Sequence, residues 1–269
     1  MLSKRLGVLA VLFISPALAQ VPSTISPLTT AIMSLSQHAP MRFHRLRLDG
    51  AVESENWSGY AVTGSSFTEA EGSWVVPKAD CAKTPNTYAA FWVGIDGYSS
   101  KTVEQTGTLI VCVGKSPVYY SWYEFYPKPL TLISKVPVSP GDSISAQVTY
   151  SGSEFTINLT NETTGKAYSA SAEVSGAERS SAEWIAEAPT SIISGVLPLT
   201  DFVQASFGMD YTDVSNTNYA TDSSTSGPIS DFSGNVEMIT MVSSKGKDEA
   251  IPSALTTDGT SFTVAWKSE

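Results

Sequence analysis

Histidine and cysteine are scarce in this sequence, and acidic residues outnumber basic ones. The 269 residues include two His, two Cys, and 16 Lys and Arg against 26 Asp and Glu, which gives a formal net charge of −10. A chain this acidic lacks the basic footprint of a sequence-independent nucleic-acid binder, so we expect no nucleic-acid partner. Six Trp, 11 Tyr and ten Phe are too much aromatic surface for a disordered chain.

The position of the two histidines is more informative than their number. His38 and His44 both lie near the amino terminus, and residues 51–269 contain no histidine. This excludes a Ser-His-Asp or Cys-His catalytic apparatus in that region, and also the usual His-containing zinc and non-haem iron sites. Its chemistry must therefore use carboxylates, amides, hydroxyls or carbohydrate contacts, and we expect neither a metal nor a cofactor.

The amino terminus predicts export. Residues 1–5 carry positive charge, residues 6–18 are apolar, and Ala17-Leu18-Ala19 forms a small-x-small cleavage site. The apolar run is shorter than the roughly 20 residues that span a bilayer, which disfavours the alternative of a membrane anchor. We predict a signal peptide over residues 1–19, no membrane association after its removal, and secretion, to the periplasm if the host is Gram-negative.

Residues 20–50 differ in composition from the rest of the chain. They are rich in Ser, Thr and Pro and then turn basic. Residues 1–50 hold five Lys or Arg and one acid, which leaves 11 against 25, a net charge of −14, in residues 51–269. This asymmetry predicts a pro-segment over residues 20–50 that binds an acidic body by charge attraction, with a plain linker as the alternative. We expect residues 51–269 to form one monomeric domain.

The body has the sequence pattern of an all-β protein. Short alternating or aromatic-rich runs, such as 88–95, 143–150 and 236–242, are bounded by clusters of Gly, Pro, Asn, Asp or Ser. The nearest helical candidate, residues 178–187, fits a strand as well. The sequence therefore predicts a single sandwich of antiparallel strands.

Cys81 and Cys112 both lie in the exported part of the chain. In an oxidising compartment they predict one disulfide that closes a loop of about thirty residues. The alternative, a reactive cysteine, lacks a histidine partner to lower its pKa.

Five segments of the body combine aromatic residues, glycine and acids more densely than a plain strand needs: residues 56–60, 91–97, 103–107, 122–127 and 182–189. In an extended strand Trp122, Glu124 and Tyr126 share one face, so that a carboxylate lies between two aromatic rings. Glu187 shares a face with Glu183 and can point into a groove. The alternative for each residue alone is ordinary packing with solvated acids.

The order and spacing of these five segments resemble the glutamic peptidases, or eqolisins, which are secreted acid endopeptidases acting on proteins and peptides. The resemblance covers nearly the whole body. It implies that Gln105 of the Gln-Thr-Gly motif and Glu187, the second acid of an Ala-Glu-aromatic-Ile-x-Glu motif, form the catalytic pair. It also implies a concanavalin-like or jelly-roll-type sandwich of two curved antiparallel sheets, and residues that line the cleft or support the pair: Trp92, Asp96, Trp122, Glu124 and Tyr126.

Two positions depart from the fungal glutamic peptidases, which tend to carry acids there. This chain has Leu109 and Tyr120 instead. The negative field around the glutamate is then weaker, which argues against an extreme acid preference and is typical of a bacterial-type member.

A glutamine and a glutamate can together hydrolyse an amide in acid. Below about pH 5 a histidine is protonated, whereas a glutamate is partly ionised. Glu187 would take a proton from water and pass it to the leaving amine, while Gln105 would hold the water and donate its amide N–H to the oxyanion. Two alternatives use the same residues: a glycoside hydrolase with Glu124 and Glu187 as its carboxylate pair, and a lectin-like carbohydrate-binding module.

Overall fold

The computed structural model describes residues 36–46, 51–191 and 193–269. The predicted signal peptide and most of the predicted pro-segment lie outside these residues. The strands are β1 (Ser36–Gln37), β2 (Phe43–Leu46), β3 (Val52–Ser54), β4 (Trp57–Thr63), β5 (Glu69–Val75), β6 (Tyr88–Ile95), β7 (Val103–Val113), β8 (Ser116–Tyr126), β9 (Thr131–Leu132), β10 (Ser143–Ser151), β11 (Glu154–Asn161), β12 (Lys166–Ala172), β13 (Ser181–Glu187), β14 (Thr190–Ser191), β15 (Gly195–Val196), β16 (Gln204–Phe207), β17 (Tyr219–Thr221), β18 (Ser226–Pro228), β19 (Val236–Val242), β20 (Asp248–Pro252) and β21 (Phe262–Trp266).

Helix is rare in the described part of the chain. A short helix, α1 (Met209–Thr212), and a 3-10 turn (Ile229–Asp231) interrupt the strands. No helix in the described ranges is long and apolar enough to cross a bilayer. Residues 178–187, the ambiguous segment of the sequence, end in strand β13, which pairs with a neighbour on each side.

Eighteen of the 21 strands in the described ranges form two large sheets. The first sheet has the order β2-β3-β19-β4-β13-β6-β7-β8-β9, antiparallel except between β3 and β19. The second has the order β20-β21-β16-β5-β10-β11-β12, and the β17–β18 hairpin also pairs with β5. Pairing of β19 with β20 links the two, and β14 pairs with β1 and β15 in a small separate sheet.

The two faces of the first sheet carry different apolar clusters. The larger cluster combines residues of both sheets, including Phe91 and Trp184 of the first and Trp74 of the second, and forms the core between them. The smaller cluster contains Trp92 and Trp122 and lies on the opposite face of the first sheet. This arrangement confirms the predicted all-β sandwich. It leaves the second face of the first sheet, which points away from the second sheet, available for a site.

The alternation predicted for β8 is confirmed. Phe125 packs in the core between the sheets, while Trp122 belongs to the cluster on the opposite face. Gly107 lies between Trp92 and Trp122 in the cross-strand register. A Cβ at Gly107 would lie 2.2 Å from the backbone oxygen of Phe91, so only glycine fits between these strands.

The predicted disulfide is present. Cys81 and Cys112 are bonded with Cα atoms 5.4 Å apart, and both are buried. The bond ties the loop after β5 to strand β7, which carries Gln105.

Candidate active site

Gln105 and Glu124 lie side by side on the second face of the first sheet. They are directly opposite each other on β7 and β8, and Gly94 of β6 is opposite Gln105 on its other side. A Cβ at Gly94 would lie 3.1 Å from the Cβ of Gln105, so the glycine leaves room for the glutamine side chain. Nε2 of Gln105 donates to Oε2 of Glu124 over 3.1 Å.

One residue of the leader, here meaning residues 36–46, contacts all three polar side chains of the site. The carbonyl oxygen of His38 accepts from Nε2 of Gln105 at 2.7 Å. Its backbone N–H donates to Oε2 of Glu124 at 3.1 Å, and its ring Nδ1 lies 2.9 Å from Oε2 of Glu187. The side chains of Gln105 and Glu187, 82 positions apart in the sequence, therefore face a common space one residue wide.

Two tryptophans frame this space. The indole Nε1 of Trp92 donates to Oε2 of Glu187 at 2.8 Å, which fixes the carboxylate and favours its ionised form. The ring of Trp122 stacks on the imidazole of His38, with centroids 3.8 Å apart and planes 15° from parallel. Trp57 packs edge-on against Trp92 at 4.9 Å and buttresses it.

Burial dominates the electrostatics of the site. It raises the pKa of Glu187 well above its usual range, and the nearby charge of Glu124 adds to this, while the Trp92 hydrogen bond opposes it. Burial likewise raises the pKa of Glu124 well above its usual range. For the imidazole of His38, which is fully buried, the same effect lowers the pKa from 6.5 to about 3. Each shift disfavours the charged form of its group.

Two of the predicted site residues do not contact this cluster. Asp96 adopts a left-handed backbone with φ 71°, and its carboxylate accepts hydrogen bonds from the backbone N–H groups of Glu178, Arg179 and Ser180. It therefore anchors the chain that leads into β13. Tyr126, half-buried, packs against the smaller apolar cluster at the end of β8.

Other buried acids lie near Asp96. Burial raises the pKa of Glu104 to about 9, with a further contribution from the charge of Asp96. Burial also raises the pKa of Glu183 well above its usual range. Within the described ranges, no group of three or more His, Cys, Asp or Glu side chains is arranged to hold a metal ion.

Some contacts of the site have no counterpart in the sequence prediction. The backbone N–H of Arg42 donates to Oδ1 of Asn56 at 2.7 Å, and β1 of the leader pairs with β14, three residues beyond Glu187. Asn56 lies in one of the five dense segments, which was the available signal. For the contact of His38 with Glu187, the sequence holds no signal other than the rarity of histidine, because the two residues are 149 positions apart.

The sequence model of the Peptidase A4 family matches residues 55–263, which include Gln105, Glu124 and Glu187. The chain belongs to the peptidase A4 family. This confirms the resemblance to the glutamic peptidases and does not favour the glycoside-hydrolase or lectin-like alternatives.

Two curated peptidase A4 relatives are fungal. Aspergillopepsin-2 of Aspergillus niger is 30% identical over 168 residues, which cover 53% of this chain and 60% of the relative. Scytalidopepsin B of Scytalidium lignicola is 35% identical over 150 residues, which cover 54% of this chain and 56% of the relative. The chain thus spans between half and two thirds of the length of each.

Solved peptidase A4 structures match over a larger part of this chain. Scytalido-glutamic peptidase with a transition-state analogue inhibitor has a TM-score of 0.66 and 27% identity, covering 79% of this chain and 98% of that one. Aspergilloglutamic peptidase from Aspergillus niger has a TM-score of 0.57 and 26% identity, covering 67% and 99%. These similarities confirm the sandwich fold.

Proposed function

We propose that this chain is the precursor of a secreted acid endopeptidase that hydrolyses peptide bonds of proteins with Gln105 and Glu187. The observation that carries the proposal is the contact of one extended peptide residue, His38, with both side chains at once. The substrates and activity of glutamic peptidases come to this chain through its family membership, and secretion rests on the predicted signal peptide.

The hydrogen bonds of the site support distinct roles for the two residues. Nε2 of Gln105 points at two acceptors, the carbonyl of His38 and the carboxylate of Glu124, which fixes the orientation of the amide. An amide N–H held against a carbonyl oxygen is positioned to stabilise the oxyanion when that carbonyl is attacked. Glu187 then serves as the base that takes a proton from water and as the acid that protonates the leaving amine.

Two buried oxygens support a shared water. Oε1 of Gln105 and Oε1 of Glu187 are acceptors without a hydrogen-bond partner among the protein atoms of the described ranges. A water molecule that donates to both would satisfy them and would lie against the carbonyl to be attacked. The carboxylate would accept the proton that this water loses on attack.

The contacts of the leader support the role of a pro-segment. Nε of Arg45 lies 2.6 Å from the carboxylate of Glu53, and the guanidinium of Arg42 lies 3.3 Å from that of Glu55. The imidazole of His44 is 3.7 Å from the same Glu55. Acid lowers the negative charge of the body and so weakens this attraction, and we propose that an acid shift leads to removal of the leader.

Digestion of a denatured protein at acid pH tests the proposed function. Wild type is compared with Gln105→Ala and Glu187→Ala, and circular dichroism establishes that each variant is folded. We expect digestion by wild type only, with losses of at least about 1,000-fold in both variants, because each removes a group needed in the transition state. Equal digestion by all three proteins would reject the assignment.

The activation step needs its own measurement. The purified precursor is shifted from neutral to acid pH, and both its own size and the digestion of an added substrate are followed. A precursor that stays unprocessed while it digests the substrate contradicts activation by leader removal.

A further inference from the structure

The leader crosses the site as an extended peptide held on both sides of Gln105 and Glu187. Before His38, β1 pairs antiparallel with β14. After it, the backbone N–H of Met41 donates to the carbonyl of Gly97 at 2.9 Å, and that of Arg42 donates to Asn56. Strand addition and main-chain hydrogen bonds are how proteins bind extended peptides independently of most side chains.

The hydrogen bonds single out one peptide bond in this segment. The carbonyl that accepts from the Gln105 amide at 2.7 Å is that of His38. The bond presented to the site is therefore the one between His38 and Ala39. The backbone N–H of His38 donates to the carboxylate of Glu124, and this second contact sets the register of the peptide.

The side chain of His38 reinforces this register. Its ring is completely buried, stacks on Trp122 and contacts Glu187. A shift of the leader by one residue would take this ring out of its enclosed position and would replace it with the side chain of Gln37 or Ala39. The leader is thus fixed with one bond over the two residues.

Resting on the proposed function, we propose that the His38–Ala39 bond is the first bond the enzyme cuts in its own leader, within the same molecule. Water adds its oxygen to the carbonyl carbon of His38 while Glu187 takes one of the water's protons. The bond from that carbon to the nitrogen of Ala39 breaks, and Glu187 returns the proton to this nitrogen. The products are a carboxylate on His38 and a new amino terminus on Ala39.

The next bond is a poorer candidate for the first cut. Ala39 is followed by Pro40, so the Ala39–Pro40 linkage is a tertiary amide without an N–H. Both residues lie next to Asn56, whose Nδ2 is 3.5 Å from the carbonyl of Ala39 and 3.4 Å from that of Pro40. The cut releases everything up to His38, while residues 39–46 stay attached through β2 and β3.

Mass spectrometry of the precursor after an acid shift tests this inference. We expect the earliest new amino terminus at Ala39, with a rate constant that is the same within about twofold over a 50-fold range of protein concentration, because an intramolecular cut does not depend on encounter. A first cut at another bond, or a rate proportional to concentration, overturns the proposal.

Two substitutions at one position sharpen the test. Ala39→Pro removes the N–H of the leaving nitrogen and should slow the cut after His38 by about 100-fold or more. The matched variant Ala39→Ser keeps that N–H and should be cut at the wild-type bond and rate. If Ala39→Pro proves misfolded by circular dichroism, the terminus and concentration dependence of wild type and Ala39→Ser still decide the outcome.

An added denatured substrate separates failure of this proposal from failure of the proposed function. If wild type digests the substrate but first cuts its leader elsewhere or not at all, the His38–Ala39 assignment is wrong and the peptidase function stands. If wild type digests neither substrate nor leader between about pH 2 and pH 7, both proposals fail.

Discussion

Nδ1 of His38 lies 2.9 Å from Oε2 of Glu187, and both side chains are completely buried. A leader residue thus holds the carboxylate that we propose as the general base. While the leader is in place, burial keeps the pKa of Glu187 well above its usual range, and only the ionised fraction of this carboxyl group can take a proton from water. The leader in the cleft and the small ionised fraction of Glu187 therefore both slow hydrolysis in the precursor.

His38 should make docking of the leader sensitive to acid. Its pKa falls from 6.5 to about 3 on burial, so an undocked leader takes up a proton between these values and a docked one does not. The contribution of His38 to the equilibrium constant of docking is complete above pH 6.5. It falls by about tenfold for each pH unit below this value, down to about pH 3. Glu187 and Glu124, whose pKa values rise on burial, oppose this effect because they take up protons while covered.

The His38 contribution can be isolated in the Glu187→Gln background, which removes one opposing carboxyl and prevents self-cleavage. We expect the hydrogen-exchange protection of residues 36–38, corrected for intrinsic rates, to decrease as the pH is lowered. After His38→Asn this decrease should be much smaller. His44→Asn changes the same residue type in the same leader and should leave the fall unchanged. An equal fall with His38→Asn would show that the imidazole has no part in it.

Trp92→Phe should move the pH profile of hydrolysis. Loss of the 2.8 Å hydrogen bond from its indole removes an interaction that favours the ionised form of Glu187, so the pKa of Glu187 rises. The acid limb of kcat/KM should shift upward by about one to two pH units, since a hydrogen bond to a charged group is worth about 1.5–3 kcal/mol.

A second buried tryptophan gives a control for the Trp92 experiment. Trp74 donates to Oγ1 of Thr108 within the core between the sheets. Trp74→Phe should lower the free energy of unfolding and leave the acid limb in place. If the acid limb of kcat/KM lay at the same pH in wild type and Trp92→Phe, the indole would not set the ionisation of Glu187.

Gly107→Ala should destabilise the first sheet. The added Cβ would lie 2.2 Å from the backbone oxygen of Phe91 and 2.6 Å from the Cβ of Trp92, so β6 and β7 must separate. We expect a loss of about 2–3 kcal/mol in the free energy of unfolding, measured by urea denaturation. Gly114→Ala, where φ is 58° and no atom lies within 4 Å, carries backbone strain without crowding and should cost about 1 kcal/mol.

Removal of the disulfide should lower stability without altering the site directly. The double variant Cys81→Ala, Cys112→Ala frees a loop with a sequence separation of 31 residues. In the chain-entropy model this costs about 3–4 kcal/mol, which urea denaturation at neutral pH would measure. A change below about 1 kcal/mol would indicate that the loop is already ordered in the unfolded chain.

Local sequence patterns predict parts of the fold, but they do not predict the catalytic candidates. Alternation alone predicts which face of β8 carries Trp122 and which carries Phe125. Residues 178–187 are ambiguous by periodicity, and pairing of β13 with β4 and β6 decides for a strand. Gln105 and Glu187 come from the order of five segments, because no local pattern brings two distant side chains together.

Tertiary contacts explain what the sequence could not predict. Asp96 is expected to line the cleft or support the catalytic pair, and its carboxylate accepts hydrogen bonds from the backbone N–H groups of residues 178–180, which approach it through the pairing of β6 with β13. The involvement of His38 depends on the path of the leader across the sheet. The limits of the pro-segment remain a prediction, since residues 47–50 lie outside the described ranges.

The stacking of His38 on Trp122 makes the leader its own spectroscopic reporter. An indole 3.8 Å from an imidazole shifts the magnetic resonances of the imidazole carbon-bound protons through its ring current. Residues 51–269 contain no histidine that could overlap with this signal. A docked and an undocked leader can therefore be distinguished in unlabelled protein, from two histidine spin systems alone.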